Sequence, residues 1–550
     1  MNIKLIKSLL AFVLAGATLM SFTACKKDNG KGSESGLVDV IPENTPYDDS
    51  DLSLITASTH TYAVSTSNRL ATQVGMKVLE NGGNAADAAI AVAYTLAVVQ
   101  PYASGLGGGG CLLMYDPSAN EYAFYDYFAS MRSTDITSKN FIGVPGFVKG
   151  LDAVHKDYAT LDYDTLLSYA IDYAENGYPV AADVETRINV AYADLKSYRM
   201  FYDDNGNLLK QGGTLYMKDL ANTLKTIVKK GADSFYTGKI AQDIVNASGT
   251  SLTAEDLASY SVEKSEPVVS NFMGYEVAAA PAPFSGTSLI QMLKMAEAID
   301  IKNPDTNPNE YLQSLTRITA AAYNDRYAHI ADPDFIKVNE KKLVSDSYIQ
   351  KLLKKNDLTI QDDPEHNSTT HFSIIDENGM VVSSTNTLSS FWGSRICVDG
   401  IFLNDTMKHF GTENSINRVQ PGKTPRSYSC PTIIKGDNNY ILAIGTPGGN
   451  NIPKILAPVL IDYLKFGTDL QDAIFKGRIY AKSSDTLILE AREFFPMIAD
   501  TSSAKYYIVT RDDAAYFGNI AAVGFSPEKG HVFSVYDDRR GGTSISANED

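Results

Sequence analysis

The amino-acid sequence predicts an α+β fold in which layers of helices cover β-sheets. Residues with helical spacing come first along the chain, and strand-like runs dominate after Glu365; this order favours a layered fold. With 44% hydrophobic residues, 32 Tyr and 22 Phe among 550 residues, the chain can bury a large core. No internal repeat and no shift in composition divides it, so we expect one compact unit after the N-terminus.

The first 25 residues have the pattern of an export signal. Two lysines precede an apolar run from Ser8 to Ala24, which is too short to span a bilayer comfortably. Small residues before Cys25 resemble a bacterial lipoprotein cleavage site. We expect a signal peptide over 1–25, a lipid on Cys25, and a polar tether over 26–53 that holds the protein at the bacterial cell surface or in the periplasm. The alternative is a plain secretory signal.

Charge and motif content disfavour several classes of function. A formal net charge of −17, with no cluster of Lys or Arg downstream of Lys27, argues against nucleic acid as a partner. The chain has no HExxH, CxxC or GxSxG motif, and its seven His do not lie at metal-ligand spacing, so we expect neither a metal nor a cofactor. Cys111, Cys397 and Cys430 are an odd number in an exported chain, which favours isolated thiols.

Apolar residues at helical spacing predict helices, in chain order, over 67–81, 85–99, 164–175 and 309–330. Gly82 and Gly83 end the first helix, and Asn84 can cap the second. The second helix is apolar on nearly every face, so we expect it inside the protein.

A glycine-rich run, SGLGGGGCLLMYD, follows the second helix. A phosphate-binding loop needs glycines after a strand, opening a helix whose N-terminus holds the phosphate. Here the glycines follow a helix and lead into the strand-like segment CLLMY. The order of elements therefore disfavours nucleotide binding.

Two hairpins are predicted in the later part of the chain. THFSII and MVVSSTNTL flank a DENG turn, and SCPTIIK and YILAIG flank a GDNN turn. Thr369 and Thr370 lie at the start of the first hairpin, where threonine is an ordinary strand residue. On this pattern alone, neither threonine is distinguished as a nucleophile.

Long motifs add a resemblance that covers the chain from about Thr59 to Gly542. ENGGNAADAAIAVAYTLAVVQPYASGLGGGG, GVPGFVKGLDAV, DSFYTGKIAQDIV, YNDRYAHIADPDF, NSTTHFSIIDENG, PRSYSCPTII, TPGGN and DDRRGG resemble segments of the gamma-glutamyltransferase (gamma-glutamyltranspeptidase) family, in that family's order. The resemblance implies an N-terminal-nucleophile hydrolase with an αββα four-layer sandwich. It also implies a precursor that cuts itself between Ser368 and Thr369 into a large subunit, 54–368, and a small subunit, 369–550, which stay together as a heterodimer.

The resemblance assigns the catalytic parts. A threonine hydroxyl is a poor nucleophile, and the α-amine freed on Thr369 can act as its base, since such amines have a pKa of about 7.7–8.0. Thr387 matches the threonine that hydrogen-bonds the nucleophile and assists the cut. Gly448 and Gly449 match the oxyanion glycines. The acyl-enzyme is then resolved by water or by an amino acid or peptide acceptor.

The residues expected to bind substrate depart from the family pattern. Ser427 matches the first of two substrate-binding serines, but Tyr428 replaces the second. Ser389 stands where the family usually has Asn. Phe128 stands where the family has the Arg that binds the glutamyl carboxylate, and His409 replaces the Asp that binds the ammonium. We expect intact cleavage chemistry beside an altered specificity pocket.

Two other residues near these motifs, His371 and Arg426, are expected to be structural.

Three functions remain open on the sequence. The first is an exported hydrolase or transpeptidase of glutathione-like γ-glutamyl amides. The second is an acylase of the same fold for a different acyl group, and the third is an uncut surface lipoprotein that only binds a ligand.

Overall fold

Two antiparallel sheets form the centre of the protein, and helices cover the outer face of each. The computed structural model describes residues 62–131, 141–249, 251–355, 357–361, 368–483, 485–492, 507–511 and 514–547. These residues belong to one unit that spans Asp49–Asp550. The predicted signal peptide and the lipidation site at Cys25 lie outside the described residues.

The strands are β1 Tyr62–Thr66, β2 Gly109–Asp116, β3 Glu121–Tyr127, β4 Tyr178–Pro179, β5 Thr214–Leu215, β6 Glu263–Ser265, β7 Val268–Phe272, β8 Tyr275–Ala279, β9 Ser368–Ile375, β10 Val381–Ser389, β11 Cys397–Val398, β12 Ile401–Phe402, β13 Thr432–Lys435, β14 Ile441–Gly445, β15 Ile479–Ala481, β16 Thr486–Glu490, β17 Tyr507–Arg511, β18 Ala521–Ser526, β19 His531–Val535 and β20 Thr543–Ala547.

The α-helices are α1 Arg69–Glu80, α2 Ala85–Val99, α3 Phe147–Tyr158, α4 Tyr163–Asn176, α5 Ala182–Val190, α6 Tyr192–Leu195, α7 Lys218–Lys230, α8 Asp233–Tyr236, α9 Gly238–Ala247, α10 Ala254–Ala258, α11 Gly286–Ala298, α12 Pro308–His329, α13 Glu340–Leu343, α14 Asp346–Leu352, α15 Ile452–Phe466 and α16 Leu470–Phe475. Within the described ranges, no helix is both long enough and apolar enough to cross a membrane.

The described strands build two large sheets. One has the order β20-β1-β9-β10-β2-β3-β6 and the other β19-β18-β14-β13-β8-β7, and neighbouring strands in both are antiparallel. Helices α1, α2 and α3 pack on the first sheet, and α11 packs on the second, with α12 and α15 against it. Leu113, Ile433 and Val523 belong to an apolar cluster between the sheets. The layers are helix, sheet, sheet and helix, so the predicted αββα sandwich is confirmed.

The first two helices follow closely from the sequence. Helix α2 covers the predicted range, and all its residues are buried, as its apolar faces require. Its capping box pairs Asn84 with Asp87: the Asn84 side chain accepts from Asp87 N at 2.9 Å, and the Asp87 carboxylate accepts from Asn84 N at 2.9 Å. Strand β2 then starts at Gly109, so the glycine-rich run leads from a helix into a strand, as predicted.

Other elements differ from the prediction at their ends. Helices α4 and α12 lie within one residue of the predicted bounds. Strand β13 starts at Thr432 and not at 429, because Pro431 has no N–H to donate to a neighbouring strand. Cys111, Cys397 and Cys430 are free thiols.

Candidate active site

The candidate nucleophile, Thr369, lies at the start of strand β9, directly after Ser368. Both residues are buried, Thr369 being 7% exposed. The Ser368 hydroxyl donates to the carbonyl of Tyr102 at 2.7 Å, which fixes the strand start to the segment that follows α2. The site is therefore held between the helical layer and the sheet.

The two neighbouring threonines face opposite sides of the strand, as strand geometry requires. Thr370 bonds Ser67 Oγ at 2.6 Å and Gln100 Oε1 at 3.1 Å, in the helical layer. Thr369 faces a small cavity whose lining also includes Thr387. Only Thr369 of the pair can meet a molecule in that cavity.

The Ser368 carbonyl accepts two hydroxyl groups. Thr369 Oγ1 donates to it at 2.7 Å, and Thr387 Oγ1 also donates to it. The two threonine oxygens are 3.3 Å apart. This geometry places a hydroxyl beside the peptide bond that precedes it and a second hydroxyl where negative charge on the carbonyl oxygen would develop.

An irregularity in β10 brings Thr387 to this position. The pairing of β9 with β10 shifts between Asn386 and Ser389, and Ser389 has a positive φ of 81°. The Ser389 N–H donates to Thr387 Oγ1 at 2.8 Å, so the Thr387 hydroxyl hydrogen is left for the Ser368 carbonyl. Non-glycine residues seldom adopt positive φ, and such strain often occurs at functional sites.

The predicted oxyanion glycines lie in the loop between β14 and α15. Gly448 has φ 147° and Gly449 φ 55°, conformations that favour glycine. Gly449 lines the Thr369 cavity. Gly448 lies one residue earlier, where an added Cβ would be 2.9 Å from Ile455 Cδ1. A side chain at either position would strain the loop.

Three of the expected substrate-binding residues, Ser389, Ser427 and Tyr428, line the same cavity. Ser427 Oγ donates to Ser429 Oγ at 3.2 Å. The Tyr428 ring stacks on Tyr323, with ring centroids 5.7 Å apart. This stacking holds the Tyr428 ring in place at the cavity.

His409 lines the cavity and connects it to Phe128. His409 Nε2 lies 2.8 Å from Ser389 Oγ, and its Nδ1 lies 3.2 Å from the carbonyl of Arg426. Because a carbonyl can only accept, Nδ1 carries a hydrogen and donates it to Arg426. Phe128 is 1% exposed, and its ring lies 5.7 Å from the His409 ring. Phe128 lines a different cavity and contacts the Thr369 site through His409.

The described lining of the Thr369 cavity includes no carboxylate. Its one guanidinium, that of Arg426, donates through Nη1 to the carbonyls of Arg326, Tyr327 and Ile330 at 3.1–3.4 Å. These carbonyls end helix α12, where a cation is favourable. This arrangement fits the structural role expected for Arg426.

His371 is buried inside the sheets. Its Nδ1 lies 2.8 Å from Thr385 Oγ1 and its Nε2 3.2 Å from Ser373 Oγ. Burial lowers the pKa of His371 to about 3, so the ring is neutral near pH 7. These contacts fit the structural role expected from the sequence.

Three residues of the cavity were missed by sequence reasoning: Ser429, Asn450 and Ile452. Ser429 could have been found, because residues two apart in an extended segment share a face and Ser427 was already expected at the site. Asn450 follows Gly449 directly. No local pattern marks Ile452, which belongs to the apolar face of α15.

Known proteins resemble this chain along most of its length. A family model described as Gamma-glutamyltranspeptidase matches residues 71–547. The Capsule biosynthesis protein CapD proenzyme of Bacillus anthracis is 40% identical over 485 residues, which cover 88% of this chain and 90% of that protein. The Glutathione hydrolase proenzyme of Bacillus subtilis (strain 168) is 30% identical over 537 residues, which cover 88% and 91%.

A solved structure supports the fold. The cephalosporin acylase from Bacillus halodurans superposes with a TM-score of 0.81 at 24% identity, covering 93% of this chain and 100% of that chain. At this identity the likeness concerns the fold, which is the N-terminal-nucleophile hydrolase fold. The matched family model and the two relatives show that the chain belongs to the gamma-glutamyltranspeptidase family and is a gamma-glutamyltransferase-like enzyme.

Proposed function

We propose that the chain cuts itself between Ser368 and Thr369 and then cleaves γ-glutamyl amides of the glutathione class with the new N-terminal threonine. The observation that carries the proposal is the Ser368 carbonyl, which accepts both the Thr369 and the Thr387 hydroxyls. The relatives are named as proenzymes, which supports the self-cleavage, and include glutathione hydrolases, which supports the substrate class.

The cut proceeds through an ester. Thr369 Oγ1 attacks the Ser368 carbonyl carbon, the bond from that carbon to the Thr369 nitrogen breaks, and the hydroxyl proton passes to the nitrogen. Water then hydrolyses the ester, leaving a carboxylate on Ser368 and an α-amine on Thr369. Thr387 stabilises the negative charge that develops on the carbonyl oxygen.

Turnover uses the same hydroxyl with a new base. The α-amine of Thr369 takes the hydroxyl proton, and Oγ1 attacks the γ-glutamyl carbonyl of the substrate. The amine product leaves with a proton, while the N–H groups of Gly448 and Gly449 stabilise the oxyanion. Water resolves the acyl ester in hydrolysis, and an amino acid or peptide resolves it in transfer.

Release of p-nitroaniline from a γ-glutamyl anilide tests the proposal. We expect turnover by the wild type, none above background by Thr369→Ala, and reduced but measurable turnover by Thr369→Ser, which keeps a hydroxyl. Thr370→Ala is the matched control, because that neighbour faces the helical layer, and it should retain turnover. Absence of turnover by the wild type at high enzyme concentration would contradict the proposal.

A second candidate within the same fold is an acylase for a different acyl group. It is favoured by Phe128, His409 and Tyr428, since a free glutamyl ammonium would find no carboxylate in the described lining of the cavity. A dicarboxylate-capped β-lactam side chain or a poly-γ-glutamate has no free ammonium at that position and fits this lining better.

Restoring the family residues distinguishes the two candidates. If the pocket is specific for another acyl group, the pair Phe128→Arg with His409→Asp should raise γ-glutamyl anilide turnover at least tenfold. The two substitutions are combined because an arginine alone at position 128 would bury its guanidinium without a carboxylate partner. The ring of Phe284 lies there, with its centroid 5.9 Å from that of Phe128. His329→Asp, at a half-exposed position outside the cavity, is the control. Unchanged turnover in a folded double variant would count against the acylase.

We further propose that the enzyme is exported and anchored by a lipid on Cys25, with 26–53 as the tether. The support is the sequence pattern before Cys25. Membrane fractionation tests it: wild-type protein should sediment with membranes, and Cys25→Ser should not. If the wild type and Cys25→Ser divided equally between the membrane and soluble fractions, the proposed lipid anchor would be contradicted.

A further inference from the structure

The two residues that flank Thr369 are both held by the segment that follows α2. Ser368 and Thr370 share the face of strand β9 that is turned to the helical layer, because strand residues two apart lie on one face. The Ser368 hydroxyl donates to the carbonyl of Tyr102 at 2.7 Å. Thr370 Oγ1 donates to Gln100 Oε1 at 3.1 Å. All four of these residues are buried, so both sides of the candidate nucleophile are fixed to one short stretch of chain.

A carboxylate in the first turn of α5, that of Asp183, joins the two residues of this stretch. Its Oδ2 accepts the Tyr102 hydroxyl and also accepts from Gln100 Nε2 at 3.3 Å. Its Oδ1 accepts from Val184 N at 2.8 Å. The start of a helix favours an anion, and hydrogen bonds to an ionised oxygen are stronger than bonds between neutral groups. The Tyr102 side chain is therefore tied to Asp183, while the Tyr102 backbone holds Ser368.

Self-cleavage depends on where the Ser368 carbonyl lies. Thr369 Oγ1 has to reach the carbonyl carbon of the residue before it, and a misplacement of about 1 Å in such a geometry can cost about 10²-fold in rate. Because the Ser368 side chain is bonded to Tyr102, a shift of Tyr102 would displace the bond that is cut. Turnover differs, since the substrate carbonyl enters through the cavity, whose described lining includes neither Tyr102 nor Asp183.

We propose that Asp183 is a positioning residue for self-cleavage, which acts through Tyr102 on the Ser368 carbonyl. The inference rests on the proposed function, because it requires the chain to cut itself at this bond. The bond from Gln100 fixes the carboxylate of Asp183 relative to the same stretch of chain. Loss of the hydrogen bond between Asp183 and Tyr102 slows the cut and leaves turnover by chains already cut close to the wild-type value.

Self-cleavage of full chains made by cell-free translation tests the proposal, with the uncut fraction followed over time on denaturing gels. Asp183→Ala and Tyr102→Phe remove the same hydrogen bond from its two ends, and each should slow the cut about tenfold or more. The double variant should cut about as slowly as the slower single variant, because two losses at one interaction do not multiply. Glu185→Ala is the matched control: this carboxylate of the same helix accepts from Gln211 N at 2.8 Å, and its loss should leave the wild-type rate.

Turnover of an anilide that the wild type hydrolyses, divided by the amount of cut chain, separates positioning from a general loss of structure. A wild-type rate of self-cleavage in folded Asp183→Ala would overturn the proposal, and so would turnover per cut chain that falls as much as the cut slows. If Asp183→Ala fails to fold, Tyr102→Phe, which loses one oxygen atom, decides by the same two measurements. A wild-type chain that does not cut itself would instead contradict the proposed function.

Discussion

At the scale of single residues, the hydrogen bonds around the peptide bond before Thr369 are those that the proposed cleavage requires. Thr387 directs its hydroxyl to the Ser368 carbonyl because the Ser389 N–H already occupies its oxygen. The sequence motifs predicted these four positions and the cavity residues Ser427, Tyr428 and His409. They could not predict that Phe128 lies outside the described lining of the cavity and contacts His409, since that contact depends on how distant segments pack.

Thr387→Val removes the hydroxyl while keeping the shape of the side chain. Loss of one oxyanion donor typically slows a reaction by about 10²–10³-fold, so we expect self-cleavage to slow by that order. The measurement is the fraction of uncut chain against time on denaturing gels. Thr387→Ser keeps the hydroxyl and should cut itself at close to the wild-type rate. Equal self-cleavage rates for Thr387→Val and the wild type would contradict the oxyanion role assigned to Thr387.

Asp126, two residues before Phe128, gives a pH-dependent prediction. Burial raises the pKa of Asp126 to about 7, against about 3.9 in an unfolded chain. The folded protein therefore binds the Asp126 proton more tightly than the unfolded chain does. This proton binding stabilises the fold fully below about pH 4, and the stabilisation is lost as the pH rises through 7. Asp126→Asn should melt close to the wild type at pH 4 and at a higher temperature than the wild type at pH 8.

Melting curves at the two pH values check this, with Glu121→Gln at the exposed start of the same strand as the control. The asparagine can still accept from Phe128 N, which lies 2.8 Å from Asp126 Oδ1. A difference between Asp126→Asn and wild type that is the same at pH 4 and pH 8 would contradict the assigned pKa.

At the scale of elements, the sequence predicted α2 to the residue but did not predict α15. The difference is physical: α2 has seven alanines and neither Pro nor Gly between Asn84 and Pro101, whereas α15 contains Pro453 and Pro458. Proline breaks most helices, yet Pro453 lies in the first turn, where its missing N–H costs nothing. Packing of α15 against α11 then outweighs the local preference.

In the proposed mechanism, the loop between β14 and α15 serves turnover and not the cut. During the cut the Ser368 carbonyl uses the Thr387 hydroxyl, while turnover is proposed to use the loop N–H groups. Gly449→Ala, at φ 55°, should therefore lower anilide turnover at least tenfold with little effect on self-cleavage. Gly467→Ala, at φ 70° at the other end of α15 with open space around it, should lose stability without losing turnover.

Turnover and self-cleavage are measured on the same preparations. A parallel loss of both activities in Gly449→Ala would mean that the loop only supports the fold. A loss of turnover in folded Gly467→Ala would mean that strain anywhere in α15 has the same effect.

At the scale of the whole molecule, the two predicted subunits share both sheets. Strand β1 lies between β20 and β9, so a strand from before the cut pairs with two from after it. In the other sheet β8 pairs with β13 in the same way. We expect the cut fragments to remain one species on gel filtration and to separate only in denaturant. Separation in native buffer would contradict this architecture.

The central claim is that Thr369 becomes an N-terminus by self-cleavage. Intact mass and N-terminal sequencing of purified protein lacking residues 1–25, beside Thr369→Ala, tests it most directly. We predict a fragment that begins Thr-Thr-His-Phe in the wild type and a single uncut chain in Thr369→Ala. An uncut wild-type chain, or a cut at the same bond in Thr369→Ala, would contradict the account.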